Sequence, residues 1–140
     1  MDRRIFLLSS LALAGCGGPP DGQVVICDLA LAGPLTRALA TQDQTPPFIL
    51  PQASPQALLD PAEKARSALV VTRYSLIANR LQRLGYVRLE HRWQALIGDQ
   101  TVQISVTRGG GQAQRRALRL AKWLASEEAA PLLAGAPSAP

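Results

Sequence analysis

The sequence predicts an α/β fold, a three-layer βαβαβα parallel sheet with an added antiparallel strand. Two observations carry this reading. Short continuous apolar runs, VVIC, FIL and ALVVT, alternate with stretches of helical period, the pattern of parallel strands with helices packed on them. After Tyr86 the pattern changes to residue-by-residue alternation, which marks a strand with one wetter face.

The elements follow in order. Val24 to Cys27 reads as a fully buried strand. Gly33-Pro34 opens a helix with proline in its first turn, and Leu35, Ala38 and Leu39 share one face. Phe48-Ile49-Leu50, bounded by prolines, is a second strand, and Ser54-Pro55 starts a helical turn. Asp60-Pro61-Ala62-Glu63 resembles a capping box that starts or restarts a helix. Ala68 to Thr72 is a third buried strand. Ser75 to Leu84 is a helix with Leu76, Ile77, Leu81 and Leu84 on its apolar side, ended by Gly85.

Val87, Leu89, His91 and Trp93 then alternate with charged neighbours, and Val102, Ile104 and Val106 alternate with Gln103 and Ser105 around a Gly98-Asp99 turn. A hairpin and a single returning antiparallel strand both fit. Gly109-Gly110-Gly111 reads as a flexible linker before a basic amphipathic helix, Gln112 to Ala125, with Ala117, Leu120, Ala121 and Leu124 inward. Ser126-Glu127-Glu128 is expected to start a last short helix.

The first residues read differently. Arg3-Arg4, an apolar run from Ile5 to Ala14 and a small-residue exit form a secretory signal too short to span a bilayer. Leu13-Ala14-Gly15-Cys16 resembles the lipobox of bacterial lipoproteins, in which the cut falls before the cysteine and that residue receives lipid. The alternative is an N-terminal core helix with a buried thiol. Arg3, Arg4, Phe6 and Leu7 also resemble the twin-arginine export motif, while the pair equally serves as the basic head of any signal. The organisation expected is a signal over 1–15, a lipid-anchored linker over 16–22, one lobe over 23–135 and a disordered tail over 136–140.

Composition narrows the function. The 140 residues carry a formal charge of +5, which falls to +4 without residues 1–15. The arginines are spread along helices without interleaved aromatics, so nucleic acid is not an expected partner. With Cys16 lipidated, Cys27 is the one remaining thiol and needs no role beyond packing. His91 is the one histidine, so no multi-histidine metal site can form. There is no Gly-x-Ser-x-Gly elbow and no Gly-x-x-x-x-Gly-Lys loop. Nothing supports an enzyme, and no cofactor is expected.

What remains is helix starts beside strand ends, where backbone N–H groups receive oxyanions. The candidates are Gly33 and Thr36 on the first helix, Ser54 before the second, and Thr72 and Ser75 around the third. The alternative is that these hydroxyls cap or decorate helices.

ICDLALAGPLTRALA is similar to the first strand and helix of solute-binding proteins of molybdate-type ABC importers, with Leu35-Thr36 and Ala38-Leu39 matching. ARSALVVTRYSLIANRLQRLGY, ALIGDQTVQISVTRGG and ALRLAKWLASEEAAPLLAG resemble later segments of that family in the same order. The resemblance implies one lobe of a type II periplasmic binding protein. It also implies a periplasmic, lipid-anchored solute-binding-like protein, with weak oxyanion binding linked to an ABC permease. Two departures stand against tight capture. Val106 leads through Arg108 directly into the last large helix, which leaves no room for a second lobe, and the family's first oxyanion serine aligns with Pro34. The second expectation is therefore a lipoprotein adaptor that uses the lobe surface to contact an envelope protein or itself.

Overall fold

The sheet is built outward from Val24–Asp28 (β1), which pairs in parallel with Phe48–Gln52 (β2) on one side and Leu69–Thr72 (β3) on the other. The computed structural model describes residues 23–42 and 45–134; Cys16, the signal-like segment, the linker over 16–22 and the tail over 136–140 lie outside them. Val87–Ile97 (β4) and Gln100–Thr107 (β5) form an antiparallel hairpin through Gly98-Asp99, and β5 pairs antiparallel to β3. The five strands run in the order β2-β1-β3-β5-β4. The fold is thus an open, mixed α/β lobe, and the hairpin is the arrangement adopted.

Alternating side chains on the buried strands feed two cores. Val25, Cys27, Val71 and Ile104 pack under Ala32–Leu39 (α1), Gly111–Leu124 (α4) and Ala130–Leu133 (α5), meeting Leu35, Leu120 and Leu133. Ile26 and Val70 pack on the opposite face under Pro55–Lys64 (α2) and Ser75–Arg83 (α3), meeting Leu58 and Leu81. Each such fully buried leucine contributes about 2–3 kcal/mol of hydrophobic stabilisation.

Several local expectations are corrected. The chain leaves β1 through a 3-10 turn, Leu29–Leu31, so Gly33-Pro34 lies inside the first turn of α1. α2 runs as one helix through Pro61, and Asp60 pairs with Lys64 at 3.3 Å rather than capping a new start. On α3 the buried stripe is Ile77, Ala78 and Leu81; Leu76 is 79% exposed and Leu84 49%. Ser126 donates back to the Trp123 carbonyl, and α5 begins only at Ala130.

β4 holds an irregularity. Between Val87 and Arg92 it advances five residues while β5 advances two. The odd excess turns the strand over. Val87 therefore packs in the α2/α3 core while Trp93, Ala95 and Ile97 pack against the α4/α5 core, and Leu89, inside the bulge, stays exposed.

The triple glycine is a junction rather than a linker. A Cβ on Gly109 would lie 1.9 Å from the Ser67 Oγ and 2.8 Å from its backbone nitrogen. Gly111 has φ +68°, a conformation that disfavours a side chain. Ser67, itself at φ 55°, donates to Gln114 at 2.8 Å and accepts at its carbonyl from the Gln23 side-chain amide. These contacts tie the start of β1 to the start of α4.

Candidate functional site

Because β1, β2 and β3 run the same way, their carboxyl ends share one edge of the sheet. The chain crosses from β1 to β2 on one side and reaches β3 on the other, so the switch point of the sheet lies at the end of β1. The residue there is Asp28. It is 3% exposed and its side chain makes no capping bond to the following turn.

The carboxylate instead turns toward β3. Thr72 Oγ1 donates to Asp28 Oδ1 at 2.8 Å, and the Arg73 backbone N–H donates to Oδ2 at 2.9 Å. Arg73 Nε stands 3.4 Å from the same Oδ2. Tyr74 N–H donates to Thr72 Oγ1 at 3.1 Å, and the Arg73 guanidinium lies 5.3 Å from the centre of the Tyr74 ring. A buried anion is tolerable only when its lone pairs are filled, and these donors fill them.

The sequence-derived candidates fall around this cluster without joining it, Thr72 excepted. Thr36 is exposed and donates to the Ala32 carbonyl of its own helix at 2.7 Å. Ser54 is the N-cap of α2, accepting from Ala57 N–H at 3.1 Å. Gly33 is exposed on α1, and a Cβ there would approach Arg37 Nη1 at an ordinary 3.5 Å, so no tight cradle needs a glycine at that position. Ser75 is exposed as the first residue of α3. Thr72 is fully buried and bonded to Asp28. Asp28 is the residue that sequence reasoning missed; Arg73 and Tyr74 lie inside the predicted helix start Thr72-Arg73-Tyr74-Ser75, where only Thr72 and Ser75 are named as candidates. The available signal was a carboxylate closing an otherwise apolar strand, VVICD.

A second polar arrangement follows β4. Arg92 Nη1 donates to Gln82 Oε1 at 2.6 Å and Nη2 to Gln103 Oε1 at 3.3 Å. Two open clefts flank this strand. One, of about 400 Å³, is lined by Leu89, Arg92, Trp93, Gln94 and Gln103; the other, of about 480 Å³, by Gln82, Val87, Arg88, Leu89, Glu90 and Arg108.

Among the described residues no His, Cys, Asp and Glu side chains gather as a metal site, and no helix is long and apolar enough to cross a membrane. Cys27, beside Asp28 in sequence, faces the opposite core. Its burial, with the Asp28 charge adding, pushes the thiol up to about 12, so it stays protonated and inert at neutral pH. No family model, curated protein or solved structure matches the chain.

Proposed function

We propose that the protein is a lipoprotein adaptor of the bacterial cell envelope, held on the periplasmic face through lipid on Cys16, whose lobe contacts another protein rather than capturing an oxyanion. The observation that carries this is Asp28. At the switch point, where an anionic ligand would seek donors, the Thr72 hydroxyl, the Arg73 N–H and the Arg73 guanidinium already serve the chain's own carboxylate. A second anion placed there would meet like charge and spent donors. Thr36 likewise spends its hydroxyl proton on the Ala32 carbonyl of its own helix.

The same edge of the sheet offers a contact surface. Leu29 follows β1, Leu76 opens α3 and Leu96 is near the hairpin turn; they are 60%, 79% and 57% exposed. The hairpin carries its Leu96–Thr101 and Ile97–Gln100 pairs past the end of β3, whose last residue pairs with Gln103. Exposed leucines beside a projecting ribbon suit a protein partner.

Calorimetric titration of the purified chain with molybdate, sulfate and phosphate tests the reading. The adaptor predicts no saturable heat at millimolar anion. Saturable binding that is lost in Thr72→Val would replace it with the oxyanion-binding function expected from the importer resemblance.

A further inference from the structure

The opposite edge of the sheet collects cations. Arg66 follows α2, Arg83 ends α3, Arg108 follows β5, and Arg115 lies just past the first turn of α4; all four are exposed. Strand direction places them together. The crossover helices run back from the carboxyl edge, so α2 and α3 end at the amino edge, where β5 also ends and α4 begins. Among the described residues no carboxylate stands within ion-pair distance of these four. Lys64 of the same edge pairs with Asp60, and Arg88 of β4 with Glu90 at 3.8 Å. The exposed acids Asp99, Glu127 and Glu128 sit in the hairpin turn and beyond α4, toward the other edge, which leaves the half-buried Glu63 in the last turn of α2 as the one further acid on the arginine edge among the described residues.

Helix capping accounts for part of this. Cations are favoured at helix C-termini, which suits Arg66 and Arg83. It does not account for Arg108 and Arg115. They flank the N-terminal turn of α4, where the macrodipole disfavours positive charge and where no acidic residue offsets them. No acidic side chain in that turn neutralises them, and both are exposed. The same edge exposes Phe48, Leu84 and Tyr86, at 54%, 49% and 37%. Exposed aromatic and apolar side chains among arginines are the composition of a surface that meets lipid headgroups.

The chain also leaves the lobe here. Gln23 precedes β1 at this edge, and six residues separate it from Cys16. Fully extended, that connection reaches at most about 25 Å.

We infer that the amino edge of the lobe is an electrostatic docking face for an anionic lipid bilayer, seated by Arg66, Arg83, Arg108 and Arg115 and turning the carboxyl edge toward partners. The inference rests on the reading of Cys16 as the lipid attachment point, and it deepens that reading by assigning an orientation to the anchored lobe.

The test uses the full chain with Cys16→Ser, which removes the lipid and leaves the N-terminal segment common to every arm. Partition onto vesicles of phosphatidylethanolamine and phosphatidylglycerol is compared with pure phosphatidylcholine. It is then repeated with Arg66, Arg83, Arg108 and Arg115 all changed to Gln, and with the milder Arg108→Gln/Arg115→Gln pair in case the fourfold variant fails to fold. Each arginine near an anionic surface is worth about fivefold, so the anionic-vesicle partition should fall at least about tenfold in either variant. The excess over phosphatidylcholine should vanish at high salt, where the screening length drops to about 3 Å, while Lys122→Gln leaves it unchanged. Equal partition of the parent and both variants, or no dependence on lipid charge, overturns the inference. Mass measurement of the cellular protein separately decides lipidation of Cys16, so either reading can fail alone.

Discussion

The two edges of the sheet solve opposite electrostatic problems. At the carboxyl edge an anion, Asp28, is buried and fully bonded to Thr72 and Arg73. At the amino edge four arginines are exposed, and uncharged contacts join the elements: Gln23 to Ser67, Ser67 to Gln114, and Gly109 packed on Ser67. One edge closes on itself and presents leucines; the other is held by steric fit and presents charge. The lesson is that a strand end at a switch point marks a ligand site only while its donors are unspent.

Asp28→Ala should sharpen the comparison most. It leaves Thr72 and the Arg73 N–H buried without an acceptor and frees the guanidinium, whose side chain is 36% exposed, so the loss is about 3 kcal/mol in urea unfolding. A loss below about 1 kcal/mol would mean that the carboxyl edge is not held by this cluster. Gly109→Ala should cost about 2 kcal/mol, because the methyl group meets the Ser67 backbone and not merely a side chain that can rotate away. A neutral outcome would show that the amino-edge junction yields easily.

Cys27 sits behind Asp28, and its prediction concerns pH. Burial, with Asp28 adding, raises the folded thiol from 9.0 to about 12. The stability this thiol contributes is whole below its unfolded value. Above it, the unfolded chain releases a proton that the folded chain retains. Stability then falls by about 1.4 kcal/mol per pH unit until the folded thiol also ionises. Urea midpoints measured on either side of pH 9 should show this slope, and Cys27→Ala should remove it. The smallest effect is expected at Ser105, which is 1% exposed with an Oγ that has no hydrogen-bond partner. Ser105→Ala should be neutral or slightly stabilising, since no bond is lost. A cost above about 1 kcal/mol would reveal a partner for that hydroxyl.

Much of the fold was legible because apolar runs mark parallel strands: VVIC and ALVVT in the buried middle of the sheet, and FIL on its half-exposed edge, all became strands. What was not legible depends on distant partners. The glycine at 109 is required by Ser67, on the far side of three strands and a helix. Leu76 and Leu84 fit a helical stripe but lie at the two ends of α3, beyond the surface that covers them. Alternation in β4 implied one face, yet the bulge divides Val87 from Trp93 between two cores. At the candidate site, Thr72 was found through its position at a strand end. Asp28 was not, because reading a strand as an apolar run stops at Cys27, one residue early.

The central claim is that the carboxyl edge is sealed and the amino edge is the anion-facing one. Amide chemical shifts recorded while molybdate or sulfate is added to the folded chain test it directly. The account predicts weak, salt-sensitive shifts confined to the neighbourhood of Arg66, Arg83, Arg108 and Arg115, with Asp28 and Thr72 through Ser75 unmoved. Saturable shifts at Thr72, Arg73 and Ser75 would contradict it.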